Sequence, residues 1–252
     1  MSGVRVLQSV EVSPRSDDPA TVRATLGAHT GFSPLEQAVL ECPPGRSTRR
    51  STGACEETLF VLQGQGSLIS DGEAHRLEPE LGAYLAPGLH YELQSSGSEA
   101  LRLVSVRIPD PEPAGAEPAP RCVVRRLAEQ RSQEATTDRE FRIVADPSCG
   151  LRSATHFVGY VPTARAPEHF HTYDEVIYVL QGEGVMRSGD VEEPLHPGTC
   201  IQLPARTVHS LENTGQRPMH LVAVFRPAGS PAEAYYPDGT PAFDPSRASE
   251  AA

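Results

Sequence analysis

One segment of this chain is written twice. Glu57-Thr58-Leu59-Phe60-Val61-Leu62-Gln63-Gly64-Gln65-Gly66 reads against Glu175-Val176-Ile177-Tyr178-Val179-Leu180-Gln181-Gly182-Glu183-Gly184, at an offset of 118 residues. Such a repeat requires two copies of one structural unit, which limits the fold more than any other feature here. The same offset carries Pro44 onto Pro162, Gly45 onto Thr163, and the apolar stretch around Val39 onto the one around Phe157. After the glycines it slips slightly, so that Gly82 matches Gly198 and Pro87 matches Pro204. Two domains are expected, over residues 1–108 and 121–229. Between them Pro109–Pro120 holds five prolines in twelve residues and reads as an extended linker. Residues 230–252 are expected to be a loosely ordered tail, with Tyr235-Tyr236-Pro237 packing back onto a domain.

Each copy reads as all-β. Short runs of Val, Ile, Leu and aromatics are separated by Gly, Pro, Asn and Asp. Val176–Leu180 is apolar on both faces, as the wall of a filled barrel would be. Ser70-Asp71-Gly72 and Ser188-Gly189-Asp190 read as hairpin turns. Helical signal is weak: Val123 to Gln130 reads as a short helix, although its equivalent, Arg5 to Val12, reads as extended.

Composition excludes several classes. A net charge of −11 over 252 residues disfavours phosphate backbones, so no nucleic acid partner is expected. No apolar run approaches the roughly 20 residues of a bilayer crossing, so no membrane partner is expected either. The opening MSGVRVLQSV lacks an apolar core followed by a cleavage site, and a cytoplasmic protein is expected. All 22 basic residues are arginine; without lysine there is no Schiff-base chemistry. The five cysteines include no C-x-x-C pair and read as buried reduced thiols.

The second copy carries the chemistry. In Pro167-Glu168-His169-Phe170-His171-Thr172-Tyr173-Asp174-Glu175, the residues His169, His171 and Glu175 share one parity, so an extended segment turns all three the same way. His209 follows 34 residues after Glu175, at the start of another strand that could bring it in as a fourth ligand. Imidazoles suit zinc, copper, iron and nickel, and the carboxylate adds a harder donor for manganese or iron. Four protein ligands leave open positions on a five- or six-coordinate ion, as a catalytic site needs. One divalent transition metal (Fe, Mn, Ni, Co, Cu or Zn) is expected.

These residues resemble the cupins. The family's first motif, G-x5-H-x-H-x3,4-E-x6-G, is met by His169, His171, Glu175 and Gly182, with Thr163 in place of the leading glycine. The second, G-x5-P-x-G-x2-H-x3-N, is met by Gly198, Pro204, His209 and Asn213, with Arg206 in place of a glycine. The resemblance covers the second copy through both motifs and the first by repetition. It implies two tandem cupin (double-stranded β-helix, jelly-roll) barrels and a metal held by His169, His171, Glu175 and His209. In the first copy the offset puts Ser51 and Gly53 where the histidines stand, Glu57 on Glu175, and Tyr91, next to His90, on His209. That barrel is expected to be degenerate and without metal.

The resemblance further implies a metal-dependent enzyme acting on a small organic molecule, with a dioxygenase-type oxidoreductase preferred and Glu175 as a catalytic base. An isomerase, cyclase or hydrolase, or a small-ligand-binding protein without catalysis, are the alternatives. If even positions of Thr155–Tyr160 face the interior, His156 and Tyr160 line the substrate pocket, and Gln202 joins them from the strand before Pro204. A homodimer is compatible with the family.

Overall fold

The computed structural model describes residues 3–17, 19–46, 49–113, 119–135 and 139–242. Residues 114–118 of the expected linker and 243–252 of the expected tail lie outside the described residues. The chain is built from strands, with short 3-10 turns between them. Each copy places one seven-stranded sheet against a smaller one. In the second copy the large sheet centres on Asp174–Gln181, which lies between Thr199–Leu203 and Met219–Arg226. Its small sheet is Val191–Leu195, Gly184–Ser188 and Ser210–Asn213. In the first copy Glu56–Gln63 is central and lies between Leu81–Leu85 and Leu101–Ile108. The two expected hairpins form, with Ser70 opposite Glu73 and Ser188 opposite Val191. Asp71 and Gly72 both have positive φ (48° and 84°), the turn geometry that matches strand twist.

Alternation decides what each sheet buries. In Asp174–Gln181 the odd residues Ile177 and Val179 join Met186, Leu195 and Leu211 of the small sheet in the core of the second jelly roll. The even residues Val176 and Tyr178 face the other way, onto Phe60, Val104 and Val106 of the first copy. Leu59, Val61, Leu68 and Leu93 fill the first copy's own core. The central strands are therefore apolar on both faces because one face looks inward and the other forms the seam between the copies. Glu56 crosses that seam, its carboxylate accepting the Arg152 and Ser153 N–H groups at 2.9 and 3.1 Å.

Each copy lends its first strand to the other. Arg5–Gln8, inside the first expected domain, pairs antiparallel with Thr199–Leu203 of the second copy's sheet. Cys122–Arg126 pairs with Leu81–Leu85 of the first. The expected helix over Val123–Gln130 is thus a strand followed by the 3-10 turn Leu127–Glu129. The open edge of Leu81–Leu85 gives the β-branched pair Val123-Val124 ladder bonds that an isolated short helix could not match. All five cysteines are free thiols, three of them buried. No helix among the described residues is long and apolar enough to cross a membrane.

Candidate metal centre

Three histidines converge inside the second jelly roll. His169 and His209 form a backbone bridge, His169 N–H donating to His209 O at 3.0 Å and His209 N–H to His169 O at 2.8 Å. His171 follows at the end of the same segment, and Arg206 N–H caps its carbonyl at 2.7 Å. One ligand nitrogen from each ring lies within 4.8 Å of the other two, the one such cluster among the described residues.

The ring tautomers follow from the partners. Nδ1 of His169 lies 2.9 Å from Pro167 O, that of His171 2.8 Å from Glu233 O, and that of His209 2.9 Å from Thr207 O. A carbonyl only accepts, so each Nδ1 carries the proton and each Nε2 presents a lone pair. Burial pushes all three imidazoles below their ordinary range, His171 to about 3, and the neighbouring histidines push His171 and His209 further down. Three neutral lone pairs within 4.8 Å of one another repel unless something electron-poor sits among them. This donor set fits a divalent transition metal.

Glu175 is buried on the same cavity wall, and desolvation raises its carboxyl to about 8. It is not one of the three mutually close ligand groups. Its neighbour Asp174 accepts Ala205 N–H at 2.9 Å and so anchors the turn that leads to His209.

The cavity, of about 80 Å³, is walled by Phe141, Phe157, Ile177, Leu211, Leu221 and Ala223. The sequence reading missed two polar residues in it. Arg139 lines the cavity, donates from Nη2 to Leu211 O at 2.8 Å, and has its guanidinium lowered to about 10 by burial. Tyr173 stacks on His171 (centroids 4.7 Å apart, 8° between planes) and on Phe225 (3.8 Å, 19°). Tyr173 shares the odd parity of His169, His171 and Glu175, so the pattern that found the ligands also points to it. Arg139 comes from a loop and leaves no such periodic signal.

The even-parity expectation needs correction at His156 and Gln202. The interior face of Thr155–Val161 carries Phe157, Gly159 and Val161. His156 points into the seam, edge-on to Phe60 of the first copy at 6.0 Å. Gln202 also lies on the seam side, accepting from Thr30 Oγ1 at 2.8 Å. Tyr160 touches the cavity but packs its ring against His220 and under Arg142. Parity was inverted because the second copy's even face is covered by the first copy, a partner invisible in a single-domain reading.

The first copy holds a different set. Tyr91 pairs with Arg50 as His209 pairs with His169, one residue before the expected Ser51, while Gly53 accepts Gly88 N–H as His171 accepts Arg206 N–H. Arg50 Nε donates to Tyr91 Oη at 3.2 Å. Tyr91 Oη and Ser105 Oγ then donate to Glu57 Oε1 at 3.0 and 2.6 Å. A hydrogen-bonded chain occupies the positions of the second copy's candidate ligands.

Comparison with known proteins agrees with this architecture. The cupin domain family matches residues 156–225. An uncharacterized protein of Methanocaldococcus jannaschii is 30% identical over 57 residues, which are 23% of this chain and 46% of that protein. Among solved structures, the Ylba protein of E. coli superposes with a TM-score of 0.75 at 12% identity, covering 89% of this chain and 91% of the other. A putative glyoxylate-induced protein from Pseudomonas aeruginosa gives 0.75 at 18%, covering 89% of each. A mutant of Bacillus subtilis oxalate decarboxylase gives 0.70 at 15%, covering 92% of this chain and 79% of the other. At these identities the structural likeness is one of fold.

Proposed function

We propose, for a chain that belongs to the cupin superfamily, that the second jelly roll is the active centre of a metal-dependent enzyme acting on a small organic anion. The observation that carries this is the convergence of three Nε2 lone pairs in a narrow cavity that also holds the buried guanidinium of Arg139. His169, His171 and His209 would hold the ion, with Glu175 as the fourth ligand. The bound metal would supply Lewis-acid polarisation and, if redox-active, chemistry with dioxygen.

The remaining steps belong to the chain's own side chains. Arg139 pairs with the substrate's carboxylate or enolate oxygen, a bond made strong by the dry surroundings. Phe141, Phe157 and Leu221 exclude water. Glu175, when not ligated, accepts or returns a proton at its carboxylate oxygen.

Within this class we favour a dioxygenase-type oxidoreductase, supported by the apolar aromatic wall beside a donor set that would leave positions open on a five- or six-coordinate ion. The second reading is non-oxidative cleavage or rearrangement of a small carboxylate. It is favoured by Arg139 and by the small volume, and oxalate decarboxylase shares the fold. The test is metal analysis by mass spectrometry on protein purified without a metal-binding tag, beside a His169→Ala, His171→Ala variant. About one equivalent of a redox-active metal, lost in the variant and accompanied by dioxygen uptake on small enolisable acids, supports the first reading. Metal without dioxygen uptake moves the assignment to the second. No metal after reconstitution refutes both and leaves a ligand-binding protein.

A further inference from the structure

The first jelly roll contains the larger cavity. It measures about 430 Å³, against about 80 Å³ beside the histidines. The strand registers explain the difference. Phe157 faces Ala223 across the second sheet, and Ala38 faces Ser105 in the first. By the same pairing Phe225 corresponds to Arg107, and Phe141, opposite Gly159, corresponds to Val22, opposite Leu40. Phe157 packs edge-on against both Phe141 and Phe225 in the second copy, at 6.2 and 5.8 Å. In the first copy that ring cluster is replaced by valine, alanine and arginine, and the volume stays open.

What lines the opened space is not neutral. Arg15, Arg50 and Arg107 face it with a single carboxylate, Glu36, while Val22, Ala38 and Leu40 give an apolar wall. Asp17 ion-pairs with Arg50, and Glu57 lies behind this face with Oε1 bonded to Tyr91 and Ser105. Arg107 donates from Nη2 to Thr52 O at 2.6 Å, but its buried Nε has no partner among the described residues. A desolvated guanidinium N–H left without an acceptor is costly, and an anion removes that cost. An apolar wall opposite guanidinium groups matches a carboxylate attached to a hydrocarbon body.

We propose that the first jelly roll is a second, metal-free binding site for a small carboxylate with an apolar body. Arg107 holds the carboxylate, Val22, Ala38 and Leu40 hold the body, and Arg15 lines the same cavity three strands away. The site does not depend on the reading given to the metal centre.

The probe is benzoate, titrated calorimetrically into the full-length, metal-loaded protein, with benzamide as the uncharged isostere. Saturable binding is expected, weaker by at least about tenfold for benzamide. Ala38→Phe, which restores the ring that Phe157 supplies in the second copy, is expected to abolish binding while metal content and thermal midpoint stay those of wild type. Arg107→Gln is expected to weaken benzoate by about tenfold and benzamide little. The His169→Ala, His171→Ala variant is expected to bind benzoate as wild type does. Absence of saturable benzoate binding up to about 10 mM overturns the proposal. So does binding that survives Ala38→Phe, or binding lost with the two histidines.

Discussion

His156 is a histidine placed where a hydrophobic side chain would ordinarily sit. It is 1% exposed, packs edge-on to Phe60 across the seam, and its Nδ1 has no partner among the described residues. Burial lowers it to about 3, so the folded protein keeps it neutral where the unfolded chain would protonate it. The folded state binds fewer protons, so this contribution to stability is complete above pH 6.5. It is lost as pH falls through the unfolded value toward the folded one. Each pH unit in that window costs about 1.4 kcal/mol, or about 2 kcal/mol between about pH 6.5 and 5. His156→Leu should therefore flatten the acid limb by about that amount in denaturant titrations at about pH 7 and pH 5. His169, His171 and His209 are common to both proteins and cancel in the difference. Parallel stability profiles would show that His156 does not sense pH across the seam.

Among the elements, the segment after Met219–Arg226 has the least expected role. Expected to be loose apart from Tyr235-Tyr236-Pro237 packing back, it lies against the second jelly roll and reaches the candidate metal centre at Pro231 and Glu233. Phe170 and Tyr235 exchange backbone bonds at 2.8 and 2.9 Å and stack their rings 5.6 Å apart. Ala232 and Ala234 are buried, and Glu233 O accepts a hydrogen bond from His171 Nδ1–H. A chain ending at Pro227 loses the acceptor that fixes this tautomer, and should bind its metal about 10- to 100-fold more weakly. Competition against a graded chelator measures this, and unchanged affinity would refute the orienting role. The histidines themselves were legible because alternation along an extended segment is local, and Glu175 and Tyr173 obey the same parity. The Glu233 carbonyl was not legible, since any residue type supplies a carbonyl. Nor was the strand at Cys122–Arg126, whose conformation is decided by the edge it joins. His156 and Gln202 were misread because alternation identifies two faces without saying which one a second domain covers.

At the scale of the molecule, the repeat boundaries in sequence differ from the boundaries between sheets. Arg5–Gln8 completes the second sheet and Cys122–Arg126 the first. The seam between them buries Val158, Val176, Val222 and Val224 against Phe60, Val104 and Val106. Two N–H groups at Arg152 and Ser153 depend on the Glu56 carboxylate for their acceptors. Further along, Arg226 donates to the Pro109 and Asp110 carbonyls, tying the start of the linker to the second copy. Covalent continuity through residues 114–118 is then a minor contributor. Closing a linker of that length costs only a few kcal/mol, whereas the strand exchange and the seam bury whole side chains. Halves divided there and co-expressed should co-purify as one particle and keep the metal. Residues 119–252 alone lack the Arg5–Gln8 strand, and present both an unpaired edge at Thr199–Leu203 and the apolar face of the seam. That fragment should aggregate or self-associate. Size-exclusion chromatography of the co-expressed pair and of the single half decides the matter. A monomeric second half with the thermal midpoint of the intact chain would mean that the exchanged strands decorate two independent jelly rolls; co-purification with loss of the single half would mean that the two copies fold as one unit.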